Sequence, residues 1–145
     1  MTSLARQKIL EKIESFDHYL GYLRLLRKEA KTKEDFLGDF HLFGNTERYL
    51  HLTIQVIIDI CHLIIIDIGA ERPNDNYEAI SLLFENKIFS PDLADKLTKM
   101  IGLRNILVHE YGKIDREKIY EILTGQIEDL GNFKRQIVQF LNQKK

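Results

Sequence analysis

The chain has one cysteine, Cys61, among its 145 residues. An internal disulfide framework is therefore excluded. Cys61 lies in "DICHLIII", where a buried, unreactive thiol is expected. There are two prolines, Pro73 and Pro91, and no low-complexity run or internal repeat. No segment alternates with the period of two that a half-buried strand shows. The start, "MTSLARQKILEK", has no apolar core of signal-peptide length, so a cytoplasmic protein is expected. A basic excess is missing too. Lys and Arg number 21 against 22 Asp and Glu, for a net charge of −1 and a pI near 6.5. A general nucleic-acid binder usually carries such an excess. Any nucleic-acid site must therefore be local, made of a few arginines brought together by folding or by dimerisation.

What is present fits a globular protein: 44% of residues are apolar and 30% charged. One domain over residues 1–145 is the default at this length, with roughly two-thirds of the unfolded surface buried. The apolar spacing is helical nearly throughout. Ile9, Ile13, Phe16, Leu20, Leu23 and Arg27 follow steps of three and four, which predicts an amphipathic helix over 4–30. "TKED" from Thr32 to Asp35 resembles a capping box. A second helical region follows, broken near Gly44–Asn45, and ends at Ile68 before Gly69. "ERPNDN" (71–76) is a loop, and a short helix covers Tyr77 to Glu85. Ser90 is placed to cap a helix with Pro91 at its first position. That helix runs into "RNILVHEY" (104–111), with Gly112 as its stop. Asp115 can cap a last helix through Leu141. The expected fold is an all-α, up-and-down bundle of four to five helices.

"LTIQVIIDICHLIIIDIG" (52–69) is the most apolar stretch. Gln55, Asp59, His62 and Asp67 interrupt it, and such charges are costly in lipid, so no membrane span is expected. Arg48, His51, Gln55, Asp59 and His62 recur at steps of three or four and share one face. That face is either solvated, with local Asp–His pairing, or the wall of a polar cleft.

"RNILVHEY" sets Arg104, Asn105, His109 and Tyr111 among Ile, Leu and Val. Arg104 and His109 are five apart, about 140° around an ideal helix. A long Arg side chain, a loosened last turn or a second subunit across a two-fold axis could bring them to one point. Arg offers planar, permanently charged donors that match phosphate oxygens. His titrates near neutrality and can move a proton. RNA supplies its own nucleophile, the ribose 2′-hydroxyl, so this pair needs neither metal nor cofactor. Asn105 can hold His109 in one tautomer or donate to the phosphate, and Tyr111 can stack on a base or donate through its hydroxyl. A polar helix cap is the plainer alternative. His18, His41 and His51 have no partner at metal-ligand spacing, and "HE" at 109–110 lacks the second His of a zinc helix.

Arg104-Asn105, His109 and Tyr111 at the end of a penultimate helix resemble the HEPN superfamily. With "ERYLHLTIQVIIDICHLIIIDIG", the "SPDLADKLTKMIGLRN" approach and the long final helix, nearly the whole chain is similar to its HepT branch. The motif matches at all four positions. The resemblance implies a homodimeric, metal-independent ribonuclease toxin with Arg104 and His109 at a composite cleft and Asn105 in support. It implies an MntA-like minimal nucleotidyltransferase antitoxin as partner, able to adenylylate Tyr111 and silence the nuclease. Older descriptions make such chains non-catalytic, substrate-binding subunits of that nucleotidyltransferase. Asp59 and His62 are further candidates for the cleft wall.

Overall fold

In the computed structural model the described residues are 1–109 and 115–144, the backbone alone for 106–109. They form seven α-helices and no strand: α1 (Ser3–Glu29), α2 (Lys33–Gly38), α3 (Phe40–Asp67), α4 (Asn76–Glu85), α5 (Pro91–His109), α6 (Arg116–Gly125) and α7 (Leu130–Gln143). The all-α expectation holds, with more breaks than the four to five helices expected.

The helix ends have local causes. Thr2, Thr32 and Asp75 each accept a hydrogen bond from the backbone N–H three residues on, at 3.1, 3.0 and 2.8 Å. Ser90 Oγ accepts from Leu93 N at 3.2 Å, as its N-cap position requires. Asp115 Oδ1 accepts from Glu117 N at 3.0 Å. Gly69 ends α3 with φ +71°, and Ala70 N reaches back to Ile65 O.

Two breaks fall elsewhere than expected. The second helical region divides at Asp39, not at Gly44–Asn45. Asp39 Oδ1 accepts from His41 N at 2.9 Å and starts α3 there, while Gly44 and Asn45 continue the helix. The last helical region is not continuous from Asp115 to Leu141. It turns through a 3-10 segment, Ile127–Asp129. Ile127, Leu130 and Phe133 are all buried there, and Glu128 faces Arg24 and Arg27 of α1 at 3.0 and 3.2 Å. The expected stop at Gly112 lies outside the described residues.

α1 and α3 run antiparallel. Lys12 meets Asp59 near one end, and the Tyr22 ring packs at a tilt against Tyr49 near the other. α7 runs antiparallel to α1 on another side, through Arg6 to Leu141 O, Lys134 to Asp17 and the Glu128 pairs. α3 is the central helix and packs against α1, α2, α4, α5 and α6. It is the one helix among the described residues long and apolar enough to cross a membrane. Its Ile54, Ile57, Ile60, Cys61, Ile64 and Ile65 lie inside the core instead. Burial alone pushes the Cys61 thiol pKa well up, as the sequence reading of an unreactive thiol requires. Two buried hydroxyls on this helix, Thr46 and Thr53, donate to the carbonyls of Leu42 and Tyr49 at 2.7 and 2.6 Å. No polar group is stranded by their burial.

Candidate active site

α5 buries Leu93, Leu97, Met100, Ile101 and Leu103. This register leaves Arg104 and Asn105 half-buried at the rim between α3 and α4. Arg104 Nη2 donates to Gln55 Oε1 at 2.9 Å. Gln55 Nε2 donates to Asp59 Oδ1 at 2.9 Å. Lys12 Nζ pairs with Asp59 Oδ2 at 3.1 Å. A polar chain thus crosses three helices, from α5 through α3 to α1. Each end of the Gln55 amide is engaged, so its orientation is set and it holds the guanidinium in place. Arg104 Nε is buried with no hydrogen-bond partner among the described residues. An unmade hydrogen bond of this kind costs about 1–3 kcal/mol, and an incoming acceptor would recover it.

Of the polar face of α3, Gln55 meets Arg104 directly. The local pairing of Asp59 with His62 does not form. Asp59 is taken by Gln55 and Lys12, and His62 Nε2 shares a hydrogen bond with Asn76 Oδ1 at 3.1 Å. Asp59 thus joins Arg104 through one intermediary, while His62 stands a turn away. Both line an open groove of about 570 Å³ between α1 and α3.

Asn105 Nδ2 donates to the Tyr77 hydroxyl at 3.4 Å, a long bond across to α4. The same hydroxyl lies over Gly102, 3.6 Å from where a Cβ would stand. Sequence reasoning passed over Tyr77, Gln55 and Lys12 as site residues. Only the stripe on α3 pointed at Gln55, and nothing local marked Lys12 or Tyr77. The side chain of His109, and Tyr111 altogether, lie outside the described residues. Their expected meeting with Arg104 lies outside the described residues as well. Among the described residues no three His, Cys, Asp or Glu side chains gather as metal ligands.

His51 sits one turn before Gln55. Its imidazole pKa is held below the ordinary histidine value, first by burial, then by the charges of Arg104 and Arg48. The ring is therefore neutral at pH 7. Such a group binds fewer protons in the folded chain than in the unfolded one as pH falls through the mid-sixes, so acid costs stability. Thermal melts should show the wild type losing stability between pH 7.5 and pH 5.5, and His51→Gln losing less. Equal losses in both proteins would assign the acid sensitivity to other groups.

The sequence matches the family described as Ribonuclease HepT-like over residues 7–137. This chain belongs to the HepT-like ribonuclease family. The matched span contains Lys12, Gln55, Asp59, Arg104, His109 and Tyr111. Among relatives of this HepT-like chain, a tRNA nuclease HepT from Aphanizomenon flos-aquae (strain 2012/KM1/D3) is 31% identical over 141 residues, covering 97% of this chain and 95% of that protein. An mRNA nuclease HepT from Shewanella oneidensis is 30% identical over 98 residues, 68% of this chain and 74% of the relative. The HepT-like fold also aligns with a solved tri-AMPylated HEPN toxin of Shewanella oneidensis, in complex with an MNT antitoxin. The TM-score is 0.83 at 24% identity, covering 96% of this chain and 99% of that one. YutE, a cytosolic protein of unknown function from Bacillus subtilis, aligns with a TM-score of 0.81 at 22% identity, covering 96% and 92%.

Proposed function

We propose that this HepT-like chain is the metal-independent endoribonuclease toxin of a toxin–antitoxin pair, acting in the cytoplasm as a homodimer of one helical domain, residues 1–145. The observation that carries the reading is Arg104: a guanidinium held at Nη2 by Gln55, with a buried Nε that has no acceptor among the described residues, inside a chain of a ribonuclease family. Arg104 takes the scissile phosphate and spreads its developing charge. The ribose 2′-oxygen attacks phosphorus, its proton passing to a base, and the bond to the 5′-oxygen breaks as that oxygen gains a proton. His109 handles the proton at one of these oxygens. The products are a 2′,3′-cyclic phosphate and a 5′-hydroxyl. Asn105 supports the site from the Tyr77 side, and Asp59 and His62 wall it.

An MntA-like nucleotidyltransferase is the antitoxin, and Tyr111 is the acceptor of its adenylyl groups. The Shewanella complex of an AMPylated HEPN toxin with an MNT antitoxin supports this pairing. Cleavage of single-stranded RNA should persist in excess EDTA and leave cyclic phosphate ends. Loss of cleavage with chelator and its return with magnesium would place the chemistry on a metal site instead. RNA binding without any cleavage would favour a non-catalytic subunit of the nucleotidyltransferase.

The dimer has its own test. Leu25, Phe40 and Ile66 are 59%, 67% and 76% exposed, apolar side chains open to a second copy of the chain. Light scattering at micromolar concentration should read about twice 17.1 kDa. A clean monomer would remove the composite cleft.

A further inference from the structure

α3 presents Arg48, His51 and Gln55 at steps of three and four, one above the other on a single helix face. Gln55 ties this face to Arg104 at 2.9 Å. Arg48 lies two turns before Gln55, about 10 Å along the axis at the ordinary helical rise. His51 sits between them, within the field of both guanidinium groups.

Among the described residues the charges around this row are unbalanced. Arg24 and Arg27 share Glu128, Lys33 takes Glu117, and Lys12 takes Asp59. Neither Arg48 nor Arg104 forms an ion pair among those residues. Glu47, next to Arg48 in sequence, is half-buried and interacts with Arg116 of α6 instead. Among the described residues two guanidinium groups thus stand on one rim without a carboxylate partner, with an imidazole between them. Arg48 is exposed, whereas His51 and Arg104 are half-buried, so the row leads from solvent into the cleft.

We propose that Arg48 and His51 form a second phosphate subsite beside Arg104, which holds the RNA backbone phosphate next to the scissile one. This rests on the ribonuclease reading above. Arg48 supplies the charge. His51 supplies a ring N–H while adding no third positive charge to repel the arginines. Two points of attachment on a flexible strand fix its direction across Arg104 and so choose which phosphodiester lies there.

The test uses the full chain and a short single-stranded RNA. In a His109→Ala background, which keeps the RNA intact, the logarithm of affinity is followed against the logarithm of salt concentration. Arg48→Gln should flatten that slope by about 0.7, the value for one phosphate contact on a single strand. With His109 present, Arg48→Gln should raise KM several-fold and leave kcat within about twofold, because it removes binding shared by substrate and transition state. His51→Ala should weaken binding, and His51→Gln, which keeps a donor, should restore much of it.

An unchanged salt slope in Arg48→Gln, with RNA still bound and cut by the parent protein, overturns the subsite. So does a slope change seen with ATP or inorganic phosphate but not with RNA, which would make this a free-phosphate site. A parent protein that neither binds nor cleaves RNA loses the ribonuclease reading first, and the subsite with it.

Discussion

His109→Ala is expected to cut RNA cleavage by about 10²–10⁴, the usual cost of removing a general acid–base group. Arg104→Lys should fail comparably. An ammonium on a flexible stem cannot reproduce the planar fork that Gln55 clamps at 2.9 Å. Arg104→Lys should fold, since Arg104 lies at the rim of the core, and His109→Ala is held to the same check. The readout is toxicity on induction at equal expression, with cleavage assays and a melting curve for each protein. Equal toxicity of His109→Ala and wild type would refute the nuclease assignment. A variant that is harmless because it melts early would return the motif to a helix-capping role. In the same assay Tyr111→Phe should stay toxic when the nucleotidyltransferase is co-expressed, because the adenylyl acceptor oxygen is gone. Silencing of Tyr111→Phe as fully as wild type would move the modification to another residue.

Phe133→Ala is expected to destabilise the fold by about 3–5 kcal/mol, the range for deleting a buried aromatic ring. Phe133 is fully buried. Its ring lies 5.5 Å from Phe16 of α1 and 5.8 Å from Phe89, just ahead of α5. Two other parts of the chain meet on this α7 ring, so no single side chain can relax into the space. Denaturant unfolding gives the free energy, and the melting temperature should drop by about 10 °C or more. A loss under about 1 kcal/mol would mean the neighbours collapse into the hole. Cleavage at low temperature should survive, which separates this variant from His109→Ala.

What could be read from the sequence was local. Thr32, Ser90 and Asp115 cap their helices because the acceptor and the N–H it serves lie within three residues. The stripe of α1 needed only periodicity. The misplaced breaks had competing local signals: Asp39 as a cap outweighed Gly44, and a bend at Gln126 satisfied burial on α1 where no proline announced it. The motif residues Arg104 and Asn105 were visible by type. Their partners were not, because Arg104 meets Gln55 across 49 positions and Asn105 meets Tyr77 across 28. The face of α3 was recognised as either solvated or a cleft. Its Asp59–His62 pairing was not decidable there, because the partners that take the two apart, Lys12 and Asn76, lie 47 and 14 positions away.

Cys61 turns the protein into its own clock. It is the chain's only cysteine, fully buried on α3, with a thiol that burial keeps protonated. A thiol-specific dye can mark it only when the centre of the bundle opens. When closing is fast, the labelling rate follows the fraction of molecules open at any instant. One intrinsic probe then ranks every variant above without an added tag. It also says whether RNA or the antitoxin tightens the bundle on binding, since a ligand that favours the closed form slows the dye in proportion.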